Sequence, residues 1–409
     1  MAEIKRKVSE FSFNELFYSR TNKKGLIASG NRVFEKVSKY NLSEMLGKPH
    51  NIVRHPDMPR GVFYLLWDYL KAERPIGAYV VNLAKDQSEY WVFALALPIP
   101  EGYLSIRLKP SSAFFTLVKD KYQDLLAIET QRQISPKESS EILLSVIESL
   151  GFPNYDVFVS EALALELESR HRELKLPEMG ILVLLKNFLE KGQILQEKAQ
   201  QIDLAYRKSS LVSLNLDLQS AKIGSEALAI SAVSVQYRKV SDEIQTEIAQ
   251  FVALTKRVIQ KVQRCQFALC IFLLQSEMTD LFLTERHSES IDHEIEKKYL
   301  KDLTTESIQY AKEQLQSVKA ELEAYRISYE EVRKLAMVLE IVGIVGKIEV
   351  AKLKTDIQSL LQLMDDLNHY KNTLKFTLAE IQKACTDLGD MTKQIYGEIE
   401  LKTKAMVGV

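Results

Sequence analysis

Proline is scarce and unevenly placed: all ten prolines lie at or before Pro177, and the rest of the chain has none. A long stretch without helix breakers, rich in alternating apolar and charged residues, supports helix and little else. Cysteine is rarer still. Cys265, Cys270 and Cys385 have no metal-ligand spacing and read as reduced core residues, which excludes a disulfide-stapled scaffold. Charge of one sign is missing too, with 54 basic against 55 acidic residues. That balance leaves no electrostatic footprint for nucleic acid or for an anionic membrane surface. The longest apolar run, CQFALCIFLL at 265–274, falls short of the roughly 20 residues a bilayer span needs, so it reads as a buried helix and no membrane span is expected. The N-terminal IKRKVSE lacks the apolar core of a secretory signal, and a cytoplasmic protein is expected. No phosphate-binding loop, HExxH, paired-Cys motif or GxSxG occurs, nor the phospho-acceptor helix and ATP lid of a histidine kinase. An enzyme is not expected.

What is present divides into two textures. Residues 11–109 mix short β-rich runs with turns. NELFYSR and LIASGN read as two strands joined through Asn22 and Gly25. NRVFEKVSKY follows as a helix. GVFYLLWDYLKAE then carries Phe63, Leu66, Trp67 and Leu70 at helical spacing behind Pro59. AYVVNLA, EYWVFALALP and GYLSIRL form an antiparallel meander. Together these describe an α+β domain whose antiparallel sheet has helices over one face and room for a pocket between them.

Beyond Pro110 the pattern is helical. Residues 114–129 form a connecting helix, 136–152 and 157–174 a helical pair, and the sequence from Glu178 onward about four long helices. Breaks are expected near Gly224, in the polar ERHSES segment and at 343–346. Such helices build an all-α elongated bundle or coiled coil. In ERHSESIDHE, the cluster of Glu285, His287, Asp292 and His293 reads as a solvated connector rather than a metal site, because two histidines six apart share a helix face poorly.

The stretch at 47–59, GKPHNIVRHPDMP, is the least generic. It holds two of the chain's six histidines together with Arg54 and Asp57, and its three prolines make it a stiff polar connector. With NRVFEKVSKY before it and VNLAKDQSEYWV after it, this region closely resembles the PAS domain of bacterial aerotaxis receptors over 80 to 90 residues. The resemblance implies a five-stranded antiparallel sheet with flanking helices and a noncovalently bound FAD that reports redox state. Carried over by position, Arg54, His55, Asp57 and Asn82 become the candidate cofactor-binding residues. The chain departs from the pattern at Ile76, where the family has Trp, at Val81 and Leu83 beside Asn82, and at Asp86 and Gln87 in the strand turn. Losing an aromatic ring removes a stacking surface worth about 1 kcal/mol. A flavin sensor and a cofactor-free PAS docking module therefore both stand, with haem on His50 or His55 as a third reading.

Residues 211–241, LVSLNLDLQSAKIGSEALAISAVSVQYRKVS, are similar to the hairpin tip of methyl-accepting chemotaxis proteins. The likeness implies partner-binding positions at Asn215, Gln219, Lys222, Gly224 and Arg238, although Gln219, Leu228 and Gln236 replace charged residues of the family pattern. A plain helical hairpin is the alternative. The expected organisation is a PAS sensor at 1–110, connecting helices at 111–177 and a long-helix bundle at 178–409. The expected partners are a second copy of the chain and, through the tip, a chemotaxis coupling protein and its histidine kinase.

Overall fold

The computed structural model describes residues 7–284, 291–353 and 358–407. Two compact units emerge, one of residues 1–183 with 263–312 and the other of residues 184–262 with 313–409. Each is described by itself.

The first unit is built on a five-stranded antiparallel sheet in the order β2-β1-β5-β4-β3. Its strands are β1 (Phe17–Asn22), β2 (Ile27–Gly30), β3 (Ile76–Leu83), β4 (Glu89–Ile99) and β5 (Gly102–Leu108). The expected β1–β2 turn forms as read: Asn22 Oδ1 accepts from Lys24 and Leu26 nitrogens at 2.9 and 3.0 Å, and Gly25 takes φ +76°. Between β2 and β3 run α1 (Arg32–Ser38), α2 (Leu42–Met45), a single 3-10 turn (His50–Val53) and α3 (Arg60–Lys71). Asn31 anchors this crossing, accepting from Tyr18 and Phe34 nitrogens at 3.0 and 3.2 Å and donating to the Leu16 carbonyl.

Three helices follow: α4 (Ala113–Arg132), α5 (Pro136–Ser149) and α6 (Tyr155–Glu173). Ser112, Ser135 and Asn154 cap them, each side chain accepting from a backbone nitrogen in the first turn. Two buried carboxylates lock these helices to the sheet domain. Glu129 of α4 accepts from the Arg60 nitrogen at 2.8 Å at the start of α3. Glu166 of α6 accepts from Ser111 nitrogen at 2.7 Å, Ser112 Oγ at 2.5 Å and Tyr79 Oη at 2.8 Å, joining β3 to the start of α4. Negative charge at a helix N-terminus meets unsatisfied N–H groups, which is why both can be buried.

Four long helices complete the chain: α7 (Gly180–Ile223), α8 (Leu228–Thr284), α9 (His293–Ala351) and α10 (Gln358–Val407). In the second unit they form an antiparallel bundle. Lys191 meets Asp387 and Lys198 meets Glu380 between α7 and α10, while Lys261 meets Glu321 between α8 and α9. The Gly224 break forms as expected, at φ +83°. The break expected at 343–346 does not form, because α9 runs unbroken through it to Ala351. Gly346 is there for packing: a Cβ on it would meet Met364 Cε at 2.5 Å and Val233 at 2.9 Å. Of the ERHSESIDHE cluster, Glu285 and His287 lie outside the described residues, and Asp292 accepts from Glu294 nitrogen at 3.2 Å at the start of α9.

The run 265–274 lies within α8, and Cys265, Leu269, Cys270 and Leu274 are all buried. The helical stretch Gly180–Thr284 contains an 18-residue window of mean hydropathy 1.4, long and apolar enough to cross a membrane by length and composition, with half of that window buried.

Candidate functional site

The sheet face turned toward α3 carries unusually small side chains. Ser19 lies opposite Ser105, Ser105 opposite Ala96, and Arg107 opposite Ala94 in the strand register. A closed core would fill such positions with Val, Ile or Leu. Here small residues leave a cavity of about 300 Å³ floored by the sheet and walled by Phe63, Leu66, Trp67 and Leu70. The apolar stripe of α3 legible in the sequence is therefore a cavity wall. The helix reaches the core through another face, with Val62, Leu65 and Tyr69 buried.

The cavity's charged groups have one sign. Lys24, Arg54 and Arg107 line it, and among the described residues no Asp or Glu does. Arg107 is 5% exposed. Its Nη2 donates to Ser19 Oγ at 2.9 Å and approaches His50 Nε2 at 2.7 Å, while Nη1 has no hydrogen-bond partner among the described residues. Burial pushes the Arg107 guanidinium down to about 10, which leaves it charged at neutral pH. Burial and then the Arg107 charge drive His50 down to about 3, so His50 is neutral and its Nε2 accepts. Its ring stacks on Phe34 with centroids 5.7 Å apart. His50 is half-buried and borders the cavity.

The connector at 47–59 places these groups through its 3-10 turn. The His50 nitrogen donates to the Gly25 carbonyl at 2.9 Å, and the backbone of Arg54 bridges to Asn82. Arg54 and Asn82 both line the cavity, with the Arg54 guanidinium 3.9 Å over the Phe63 ring. His55 and Asp57 go elsewhere. His55 is buried, its Nδ1 accepts from the Asp57 nitrogen at 3.0 Å, and its Nε2 lies 3.2 Å from Glu89. Both residues line a separate groove with Trp91 and Tyr122 of α4. The four residues singled out in the sequence thus split into two pairs. His50 and Arg107 join the cavity pair; alternation along GYLSIRL, with Tyr103, Ser105 and Arg107 on one face, was the signal for Arg107.

None of the departures from the PAS pattern lines the cavity, and Val81 lines the separate groove with His55 and Asp57. Ile76 is fully buried at the end of β3, and the aromatic wall comes from Trp67, Phe63 and Tyr103. Trp67 meets Tyr103 edge to face at 5.5 Å. A buried guanidinium with an unsatisfied N–H, a neutral carboxamide and flat aromatic walls fit the electron-rich edge of a heteroaromatic ring. They fit haem poorly, since the nitrogen that His50 would use faces Arg107.

Of the expected partner-binding residues, Asn215, Lys222 and Gly224 are exposed around the α7–α8 turn. Gln219 is half-buried, and Arg238 pairs with Asp217 at 3.1 Å.

A five-stranded antiparallel sheet with helices across it and a cavity between them defines a PAS domain. It is of the aerotaxis-receptor type and is followed by a helical region. Among curated proteins, the aerotaxis receptor of Escherichia coli (strain K12) is 38% identical over 121 residues, which cover 28% of this chain and 24% of that receptor. The chain therefore spans about a quarter of the length of the relative it matches. No protein-family model matches the chain. Solved structures similar to it include a PAS domain from Colwellia psychrerythraea, at 19% identity and TM-score 0.21, covering 23% of this chain and 85% of that one. The light-state LOV domain of the blue-light photoreceptor Aureochrome1 is 16% identical at TM-score 0.23, covering 26% of this chain and 90% of that one.

Proposed function

We propose that this chain is a cytoplasmic signal-transduction sensor whose PAS cavity binds a flavin, FAD by the family resemblance, and whose helical region relays its redox state. The observation that carries this reading is the buried Arg107, a cation whose Nη1 has no partner among the described residues, in a cavity that these residues line with cations and with no carboxylate. An uncompensated buried charge is costly, and an electron-rich ligand would repay it. Arg54, Asn82 and Arg107 would hold the ligand, with Phe63 and Trp67 beside its ring. At about 300 Å³ the cavity takes a ring system, so the rest of an FAD would extend past Arg54 and Lys24. A bound flavin supplies a ring whose charge and protonation follow the redox poise.

Two routes out of the cavity support the relay. One is the connecting helix α4, fastened to β3 through Glu166. The other is β1, where Ser19 faces the cavity while Tyr18 and Arg20 hold Glu296 of α9. Either could bias two packings of the helices. The output we propose is homodimeric and directed to a chemotaxis coupling protein and histidine kinase through the exposed Asn215 and Lys222.

The test is the colour of the purified full chain. A flavin absorbance spectrum, or its appearance after reconstitution with FAD, supports the sensor. Protein that stays colourless in excess FAD favours the second reading, a cofactor-free PAS and helical-bundle docking protein. The separate groove by His55, Asp57 and Trp91 would then be its candidate contact surface. A pull-down with the coupling protein and kinase tests the output end.

A further inference from the structure

In the second unit, α9 has two apolar faces. Leu339, Gly346 and Val350 turn into the bundle, where Leu339 and Val350 are fully buried. On the opposite side Met337, Ile341, Ile344 and Ile348 recur at steps of four, three and four residues, and they are 57%, 61%, 55% and 51% exposed. Val338 and Val345 widen the stripe at 40% and 43% exposure. Four-three spacing is the pattern of a helix seam, and the solvent side of a bundle helix is normally polar. A contiguous outward stripe of this kind marks a contact surface.

We propose that this stripe packs antiparallel against the same stripe of a second copy of the chain. The spacing reads the same in both directions. In an antiparallel pair Met337 of one copy therefore faces Ile348 of the other, and Ile341 faces Ile344, each layer occurring twice about a two-fold axis. The flanking charges agree. Glu340 and Lys347 lie on the same edge of the stripe, one toward each end, so antiparallel packing sets Glu340 of each copy beside Lys347 of the other. A parallel pair would instead place Glu340 beside Val345 and leave both charges without a counterpart across the seam. Within the chain Glu340 pairs with Lys371 at 3.5 Å and Lys347 with Asp365 at 2.8 Å; these partly exposed contacts leave both side chains at the rim.

A seam of four layers is smaller than the roughly 1,200–2,000 Å² of stable complexes, so the dimer should be concentration-dependent. This contact gives the proposed homodimer a surface and does not depend on what fills the PAS cavity. Colourless protein leaves it untouched, and a monomeric chain leaves the flavin reading untouched.

The experiment is sedimentation velocity of the full chain from about 1 to 100 μM, the range over which weak interfaces dissociate. We expect the mass to rise to two copies. I341E/I344E, at exposed positions, should stay monomeric throughout with an unchanged helical circular dichroism spectrum. E340K and K347E should each weaken the dimer at least fivefold, and E340K/K347E together should restore it. A chain that stays monomeric at 100 μM, or an I341E/I344E variant that still dimerises, overturns the proposal. Failure of the double charge exchange to recover dimerisation overturns the antiparallel register.

Discussion

Arg20 grips Glu296 from two nitrogens, Nη2 at 2.7 Å from one carboxylate oxygen and Nε at 3.0 Å from the other. Glu296 is 1% exposed and also accepts from the Tyr18 hydroxyl, whose own deprotonation is opposed by burial and by that carboxylate. The residue between them, Ser19, accepts from Arg107 on the cavity side. Two-residue alternation along β1 therefore sets the cavity and the first turns of α9 one peptide apart.

Removing one partner of a buried ion pair leaves the other charge unpaired, at a cost of about 3–5 kcal/mol. Arg20→Ala should accordingly destabilise the chain by about 3 kcal/mol in urea unfolding. Arg326→Ala removes an exposed pair with Glu323 three residues away and should cost under about 0.5 kcal/mol. Arg20→Ala should also separate the two sides of β1. Hydrogen exchange in residues 293–300 should respond to added FAD in the wild type and should cease to respond in the variant. A response of unchanged size would remove β1 from the relay.

Arg107 sets binding against stability. Replacing a buried, incompletely paired charge by an apolar side chain of similar length is often neutral or stabilising. Arg107→Met should thus leave the ligand-free melting temperature unchanged or raised. The same variant should bind FAD at least tenfold more weakly by fluorescence titration. A variant that loses stability and keeps its flavin affinity would make Arg107 a structural residue.

The PAS fold was legible because its signals are local. Asn22 and Gly25 specify a turn, three β-rich runs specify a meander, and PHNIVRHPDMP is a specific string. The α7–α8 turn was legible for the same reason, since Gly224 takes the left-handed conformation that glycine favours. Gly346 misleads because a glycine needed for close approach of Met364 looks in sequence like one that ends a helix. The division of the site was hidden for another reason. Arg54 and His55 are adjacent, and in extended backbone adjacent side chains diverge, so a motif contiguous in sequence serves two faces. Arg107 lies 53 residues beyond Arg54 in the chain. Only the pairing of β1 with β5 brings it to Ser19 and His50.

His50 gives the cavity an acid limit. Unfolded, its imidazole has the ordinary value of 6.5, and folded it stays neutral down to about 3. Between those values the unfolded chain binds a proton that the folded chain refuses, so stability falls as pH falls. The slope from this one group approaches about 1.4 kcal/mol per pH unit in the middle of the window. His50→Asn keeps an acceptor for Arg107 and removes the titration. Urea midpoints between pH 6.5 and 4 should therefore fall less steeply in the variant than in the wild type, and parallel curves would sink the assignment.

The split of the loop at 47–59 yields the sharpest comparison. Asn82 lines the cavity, and its backbone is tied to Arg54. Asp57 is exposed in the other groove. Loss of one hydrogen bond to a ligand, with its neighbouring groups left unpaired, costs about 1–3 kcal/mol. Asn82→Ala should therefore weaken FAD binding roughly tenfold or more, since 1.4 kcal/mol is a factor of ten. Asp57→Ala reaches nothing in the cavity and should change the affinity by less than about twofold. Asn82→Ala should melt near the wild type, because it truncates a side chain at the edge of the cavity. If Asp57→Ala releases the flavin while Asn82→Ala keeps it, the ligand belongs in the groove beside α4, with Trp91 and Tyr122 as its aromatic walls.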